Sequence, residues 1–338
     1  MQYPCLVTSD LHLDAHSSAE YRWGLFPWLN EQVREERAKT LLILGDLTDK
    51  KDNHGAEFAN RVVRAVASLE CDEVKILAGN HDWQREGHPF FRFLNCLPNV
   101  EFIAEPREDQ DVRGQPTLYL PYSRQPIRDW AKMDLSHYRH VFMHQTAPGS
   151  VASNGQRMDG DALPDLSAAG KVYSGDIHVP QVIGSIEYIG SPYHVHFGDD
   201  FKPRCVLLER GGKATDLHFP APRRVALRAT GTEDLAAQVF GGTAPGDHVK
   251  VRLVLAESER HEWVALRRQA VEILEEAGVE NHGVSMEVDR GARRRLIGTG
   301  ANRALARDPA EAVLHYVRRE ELGGDALDAG LDVLEAPQ

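Results

Sequence analysis

Val74-Lys75-Ile76-Leu77-Ala78-Gly79-Asn80-His81-Asp82 is a short, nearly continuous apolar run that breaks at a glycine into a cluster of polar side chains. Such runs are what strands buried on both faces look like. The pattern recurs along roughly the first 200 residues. Tyr3 to Thr8 leads into Ser9-Asp10-Leu11-His12, and Thr40 to Leu44 into Gly45-Asp46. His140 to Met143 leads into His144-Gln145, and Val172-Tyr173 into Ser174-Gly175-Asp176-Ile177-His178. Phe26, Leu29 and Val33 recur at helical spacing between two of these runs, and Phe58, Val62, Val66 and Leu69 do so in the next gap. Alternating strand and helix predict an α/β layered domain, with its polar clusters at strand C-terminal ends, where sites in such sheets are usually built.

The character changes past about residue 220. Ala221-Pro222-Arg223-Arg224 reads as a junction and Gly241-Gly242-Thr243-Ala244-Pro245-Gly246 as a turn-rich break. Val249, Val251, Leu253 and Leu255 alternate as a half-buried strand does; Trp263, Leu266, Ala270, Ile273 and Ala277 mark a helix that Gly278 ends; Val284, Met286 and Val288 alternate again. A second, smaller α/β unit is expected here. In the tail, Asp308-Pro309-Ala310-Glu311 is a helix start with Asp as N-cap and Pro at N1. Val313, Leu314 and Val317 follow it, then Leu327, Leu331 and Leu334. The expected division is 1–220, 221–300 and 301–338.

The chain has 338 residues, 42% hydrophobic and 27% charged, a balance that excludes a disordered chain, a collagen-like fibre and a membrane protein. Its 39 Lys+Arg against 51 Asp+Glu leave a net charge of −12, so no overall basic field recommends nucleic acid as a partner. Metal ions in a site can nonetheless meet a phosphate where the surrounding protein is acidic. Cys5, Cys71, Cys96 and Cys205 are too widely spaced for a CxxC motif and read as buried free thiols of a reducing compartment. The N-terminus runs into a strand with no basic and then apolar leader, and no stretch reaches transmembrane length, so a cytoplasmic protein is expected.

The polar clusters are rich in carboxylate oxygen and imidazole nitrogen, a mixed set that suits Mn, Fe or Zn. In extended chain Asp10 and His12 share a face and can bite one ion together. Asp46, after a buried strand, has two oxygens with which to bridge two ions, and Asn80 offers a neutral carbonyl oxygen. Taken singly, each has a plain reading: an Asp after a strand is often a helix cap, and a lone His a satisfied surface residue. Five clusters in order, each at a strand end, argue for a shared site. His81, beside a candidate ligand, is placed to donate a proton to a leaving oxygen, with Asp82 orienting its ring, and Asp49 either holds a ligating histidine or caps a helix or turn. Trp83 and Phe90-Phe91-Phe93 read as core aromatics, with stacking on unpaired bases as the alternative. Arg290, Arg293, Arg294 and Arg295 read as a solvated cluster, with phosphate tracking as theirs.

The order Asp10-x-His12, Gly45-Asp46-x-x-Asp49, Gly79-Asn80-His81-Asp82, His144, Gly175-x-x-His178 resembles the calcineurin-like metallophosphoesterase superfamily over roughly the first 200 residues. The resemblance implies a layered metallophosphoesterase β-sandwich flanked by helices, with the small α/β unit as a capping domain and helices at the C-terminus. It also implies a two-metal phosphoesterase: one ion held by Asp10, His12, Asp46 and His178, the other by Asp46, Asn80, His144 and the residue two before His178. The family usually has Gly-His-x-His there, whereas this chain has Asp176, a hard anionic oxygen that favours Mn2+ or Mg2+ over softer ions.

Gly175-Asp176-Ile177-His178-Val179-Pro180-Gln181 and Tyr188-Ile189-Gly190-Ser191-Pro192 resemble the family's DNA-repair nuclease branch, that of the exonuclease SbcD and of meiotic-recombination and phage recombination nucleases. What that branch implies is a nuclease acting on DNA in repair or recombination, partnered by an SMC-like coiled-coil ATPase subunit of the SbcC type bound to residues 301–338. A homodimer stays open. The competing expectations are a stand-alone metal-dependent phosphatase or nucleotide hydrolase, and a scaffold subunit whose second metal site has decayed at Asp176.

Overall fold

The computed structural model describes residues 1–289 except 52, 53, 86, 112 and 132. The Arg290–Arg295 cluster, the helices expected from Asp308 onward and the segment 301–338 lie outside the described residues. The chain opens with β1 (Cys5–Thr8), α1 (Leu25–Glu35), β2 (Thr40–Ile43), α2 (Ala56–Ala67) and β3 (Glu73–Leu77). A small hairpin, β4 (Trp83–Arg85) with β5 (His88–Pro89), precedes β6 (Val100–Ile103), β7 (Arg107–Gln110) and β8 (Pro116–Leu120). Next come α3 (Pro126–Asp129), β9 (His140–His144), β10 (Lys171–Gly175), β11 (Gln181–Ile183), β12 (Ile186–Tyr188), β13 (Cys205–Leu208) and β14 (Ala214–Leu217). The described chain closes with β15 (Arg224–Ala229), α4 (Thr232–Gly242), β16 (His248–Ala256), α5 (Trp263–Glu276) and β17 (Glu280–Asp289).

Two six-stranded sheets are ordered β14-β13-β1-β2-β3-β6 and β11-β12-β10-β9-β8-β7; the first is parallel from β1 to β6 with antiparallel strands at one margin, and the second is parallel from β12 to β8 with an antiparallel strand at each margin. Strand alternation explains how they pack. Cys5, Val7, Leu42 and Leu77 of the first sheet meet Tyr119, Phe142 and Tyr173 of the second in one dry layer. Their neighbours Leu6, Leu41, Ile43 and Ile76 face the other way, onto Phe26 and Leu29 of α1 and Phe58 and Val62 of α2. Outside the second sheet, Val141, Met143 and Val172 lie under Trp130, Leu135 and Leu166. Both faces of the central strands are therefore covered, which is why their sequences are apolar throughout.

The alternation of strand and helix holds through α2 and then lapses. From β7 to β14 the α-helical chain is the four-residue α3, and irregular segments around 121–139 and 145–170 supply the covering residues. Such segments carry apolar side chains without a period, so sequence patterning gives them no element. Leu69, expected on the second helix, lies just past its end, though still buried. Cys5, Cys71 and Cys205 are buried as expected, but Cys96 is exposed.

The parallel strands β15-β16-β17 form a separate sheet whose core joins Val249, Val251 and Leu253 to Leu235 and Val239 of α4 and Ala270 and Leu274 of α5. Lys250 and Arg252 point to solvent, which gives the half-buried alternation its pattern. No described helix is long and apolar enough to cross a membrane.

Phe142 is wholly buried between the sheets, with its ring stacked 5.7 Å from Tyr119 and 5.5 Å from Tyr173. Phe142→Ala should lower the free energy of unfolding by about 3–5 kcal/mol. Val182→Ala, at a residue 66% exposed, should leave it within about 0.5 kcal/mol. Urea denaturation of both variants is the check.

Candidate metal centre

The loops that follow β1, β2, β3, β9 and β10 converge where the two sheets meet. The Asp10 N–H donates to the Gly45 carbonyl at 3.1 Å and the His12 N–H to the Asp46 carbonyl at 2.9 Å, pinning the first loop to the second. The Asp176 N–H donates to Asp10 Oδ1 at 3.0 Å and so ties the second sheet to the first. Asp10, His12, Asp46 and Asp176 all have positive φ, between 42° and 82°, a region non-glycine residues seldom occupy. The chain turns sharply at each strand end and aims the side chain back into the junction. Asp10 and His12 thus converge through left-handed turns rather than by the extended-chain face sharing expected from their spacing.

Glycines make room for this. A Cβ on Gly79 would strike the Asp46 carboxylate, and one on Gly45 or Gly175 would strike the His144 ring. Arg22, 4% exposed, holds the His12 carbonyl and donates to the Val195 carbonyl at 3.1 Å, while the Tyr193 hydroxyl donates to the Leu11 carbonyl. Neither residue lies in a motif, so an arginine and a tyrosine at these positions give no signal in the sequence.

Within the junction, Asp46 Oδ2 lies 3.5 Å from His12 Nε2, and its Oδ1 lies 3.4 Å from His144 Nε2. The carboxylate therefore presents one oxygen to each of two histidine groups. His12 Nε2 faces His178 Nε2 at 3.0 Å, and His144 Nε2 is 3.6 Å from Asp176 Oδ1. The side-chain atoms of Asp10, His12 and His178 lie within 4.8 Å of one another, as do those of Asp10, Asp46 and His144.

Several of these atoms are buried with no hydrogen-bond partner: Asp10 Oδ2, Asn80 Oδ1 and His144 Nε2. His144 Nδ1 donates to the Leu44 carbonyl at 2.5 Å, leaving Nε2 to accept. Unpaired buried acceptors are costly unless a cation meets them. The donor set therefore fits divalent metal ions, and all seven expected ligands, Asp10, His12, Asp46, Asn80, His144, Asp176 and His178, border this space.

The electrostatics point the same way. Burial alone would push the His144 ring down, yet Asp46, Asp176 and Asp10 raise it well above the ordinary histidine value. Burial pushes the Asp10 carboxyl up to about 6. Burial also works against Asp176, but the facing His144 ring and the Thr146 hydroxyl hold its carboxyl below the usual range. Thr146, whose hydroxyl donates to Asp176, sits two residues beyond His144, a spacing that would have exposed it. His178 is held well below its usual value by burial and by the nearby His12 ring.

Two expected roles change hands. Asp82 does not orient His81: its fully buried carboxylate accepts from the backbone N–H groups of Gly79 at 2.8 Å, Leu47 at 3.1 Å and Thr48 at 3.4 Å. It staples the β2 and β3 loops together, and burial, with the Asp46 charge, pushes its carboxyl up to about 7. His81 Nδ1 instead meets the Asp49 carbonyl at 2.8 Å. The Asp49 side chain lies 3.3 Å from His12 Nδ1, the supporting position its spacing suggested, and the His12 ring holds its carboxyl down at about 2. Backbone turns decide both outcomes, because they set which way consecutive side chains face.

An open cleft of about 530 Å³ leads to the centre, lined by Asn80, Tyr122, Asp176, His178 and His196. The His196 ring stacks 5.4 Å from the His178 ring. His194 lies apart, its ring accepting from the Arg224 N–H at 3.3 Å where the three-stranded unit joins. Gly190, with φ of 78°, has no room for a Cβ beside the His178 carbonyl, and the Ser191 N–H donates to that carbonyl at 3.0 Å, so the Gly-Ser-Pro segment supports the His178 loop.

Residues 3–180 match the family model described as calcineurin-like phosphoesterase. Among solved structures, Pseudomonas putida nuclease MPE is 14% identical, covering 63% of this chain and 87% of its own, at a TM-score of 0.33. Yfce, a phosphoesterase from E. coli, is 17% identical over 63% of this chain and 97% of its own, at a TM-score of 0.31. No curated protein matches the chain.

Removing the staple should show in stability. Asp82→Ala leaves buried N–H groups unpaired and should lower the free energy of unfolding by about 2–4 kcal/mol in metal-free protein. His81→Ala should lower it by less than about 1 kcal/mol. Chemical denaturation in chelator compares the two.

Proposed function

We propose that this chain, which belongs to the calcineurin-like phosphoesterase family, is a two-metal DNA phosphodiesterase, an exonuclease or endonuclease of DNA repair or recombination. The observation that carries the hydrolytic part is Asp46, with one carboxylate oxygen 3.5 Å from His12 and the other 3.4 Å from His144. Asp10, His12, Asp46 and His178 would hold one ion; Asp46, Asn80, His144 and Asp176 the other. Two carboxylates and an amide oxygen beside one imidazole make the second set suit Mn2+, then Mg2+. When bound, such a pair supplies a lowered water pKa and charge stabilisation on both the attacking and the leaving oxygen.

The chain's own groups do the rest. The Leu44 carbonyl fixes the His144 tautomer, and Asp49 stands against His12 Nδ1. His81, tied through Nδ1 to the Asp49 carbonyl, has Nε2 left to hold a proton for the leaving oxygen.

What supports DNA as the substrate is the three-stranded unit beside the site, where Arg224 donates to the Val195 carbonyl at 2.7 Å and lies 4.2 Å from the Phe197 ring. A phosphatase of small esters has no use for it. Partnership with an SMC-like ATPase through residues 301–338 belongs to the same proposal and rests on the sequence resemblance. The net charge of −12 favours the second reading, a stand-alone phosphatase or nucleotide hydrolase.

With Mn2+, labelled DNA should be cleaved in preference to 4-nitrophenyl phosphate; turnover of the monoester alone would establish the second reading. Asp46→Asn should abolish hydrolysis and reduce metal content at both positions, read by mass spectrometry of metals, and undiminished occupancy would rule out the bridge. His81→Ala should retain metal and lose about 10²–10⁴ in turnover. Asp176→His should keep activity, whereas Asp176→Ala should raise the Mn2+ needed for half-maximal rate by about tenfold or more.

A further inference from the structure

We infer that the groove beside the metal centre, walled by Trp83, Arg85, Tyr122, Arg124 and Trp130, is a seat for one unpaired nucleobase and its flanking phosphate. The inference rests on the phosphodiesterase reading above and names the form of nucleic acid that the site takes.

The groove holds about 400 Å³, within the range of ligand sites, and shares Asn80 and Tyr122 with the cleft at the metal centre. The Tyr122 N–H donates to the Ala78 carbonyl at 2.9 Å, which fixes this shared wall against the Gly79-Asn80 turn. A strand with one phosphate at the metal centre therefore has its next nucleotide at the groove's mouth.

The lining has the two properties such a nucleotide needs. Trp83 and Tyr122 are half-buried and Trp130 is 1% exposed, so aromatic surface forms the interior. The Trp83 indole N–H is buried with no hydrogen-bond partner. The nitrogen is closed to contact from the groove, so what Trp83 offers a base is its half-buried ring.

Charge selects the rest of the ligand. The lining acids are already neutralised from outside the groove: Glu105 pairs with Arg92 at 3.3 Å, and Asp129 pairs with Arg128 at 2.7 Å and accepts from the Ser123 hydroxyl at 2.5 Å. The lining cations Lys51, Arg85 and Arg124 have no ion pair among the described residues. A protein of net charge −12 thus keeps three cations without an ion pair among the described residues around one aromatic groove next to its candidate catalytic centre. A purely apolar ligand would leave them unmet, whereas a nucleotide brings its phosphate to them and its base to the rings. A base must leave its pairing partner to lie against an aromatic side chain, so the seat takes single strands and frayed ends, with little preference among bases.

The test is steady-state kinetics with Mn2+ on a single-stranded oligothymidylate and on methyl 4-nitrophenyl phosphate, a diester without a base. Trp83→Ala should lower the ratio of kcat/KM for the oligonucleotide over that for the small diester about tenfold, the loss falling in KM. Trp83→Phe, which preserves packing, should show a smaller fall, and Arg124→Ala should weaken oligothymidylate binding and flatten its salt dependence by about one counterion. Normal DNA hydrolysis with a ratio indifferent to all three substitutions overturns the seat and spares the nuclease reading. A wild-type protein that hydrolyses no DNA, yet binds oligothymidylate more tightly than Trp83→Phe and Arg124→Ala do by fluorescence anisotropy, overturns the nuclease reading and leaves the seat standing.

Discussion

Asp10, Asp46 and Asp176 crowd three carboxylates around the His12 and His144 rings at the edge where two sheets meet, with Asp10, Asp46 and both rings buried. Like charges held so closely cannot all stay ionised without a cation among them. The demand shows on His144, whose ring is drawn well above its ordinary value although burial opposes it. What draws a proton there also draws a metal ion. The donors converge through left-handed turns at Asp10, His12, Asp46 and Asp176, each costing about 1–3 kcal/mol, and such strain persists only where the surroundings over-determine it. Here the surroundings are the strands behind the turns, packed on both faces between helices and a second sheet.

The supporting groups come from many parts of the chain. Arg22 and Tyr193 hold the Asp10–His12 loop by its carbonyls, Asp82 holds the β2 and β3 loops by their N–H groups, and Ser191 holds the His178 carbonyl. Each contact fixes backbone rather than a donor side chain. The side-chain atoms are thereby left free to face a cation, and the junction combines well-satisfied main chain with unpaired side-chain acceptors.

Charge is segregated within the fold. The acids at the centre face inward, and the described acids lining the neighbouring groove are paired by arginines outside it, so the cations there have no ion pair among the described residues. A seam joins the three-stranded unit to the same side: Arg224 reaches the Val195 carbonyl, and His282 lies 5.3 Å from the Phe197 ring. Whole-chain arithmetic averages over these faces.

The sequence by itself determined the central strands, the first two helices and the donor inventory. Val74 to Ala78 had to be buried on both faces, because nothing polar enough to meet water interrupts it except Lys75, which is neutralised by Glu73, Glu101 and Asp109. The ordered recurrence of Asp, Asn and His after such runs then pointed to seven candidate donors, because strand ends place whatever follows them at one edge. Only the tertiary structure decided what covers the second sheet, that Asp82 is a staple while the Asp49 carbonyl holds His81, and that Arg22 and Thr146 belong to the site. Those outcomes depend on turn geometry and on contacts between residues far apart in the chain, such as Arg22 with Val195, and neither leaves a period or a spacing in the sequence to read.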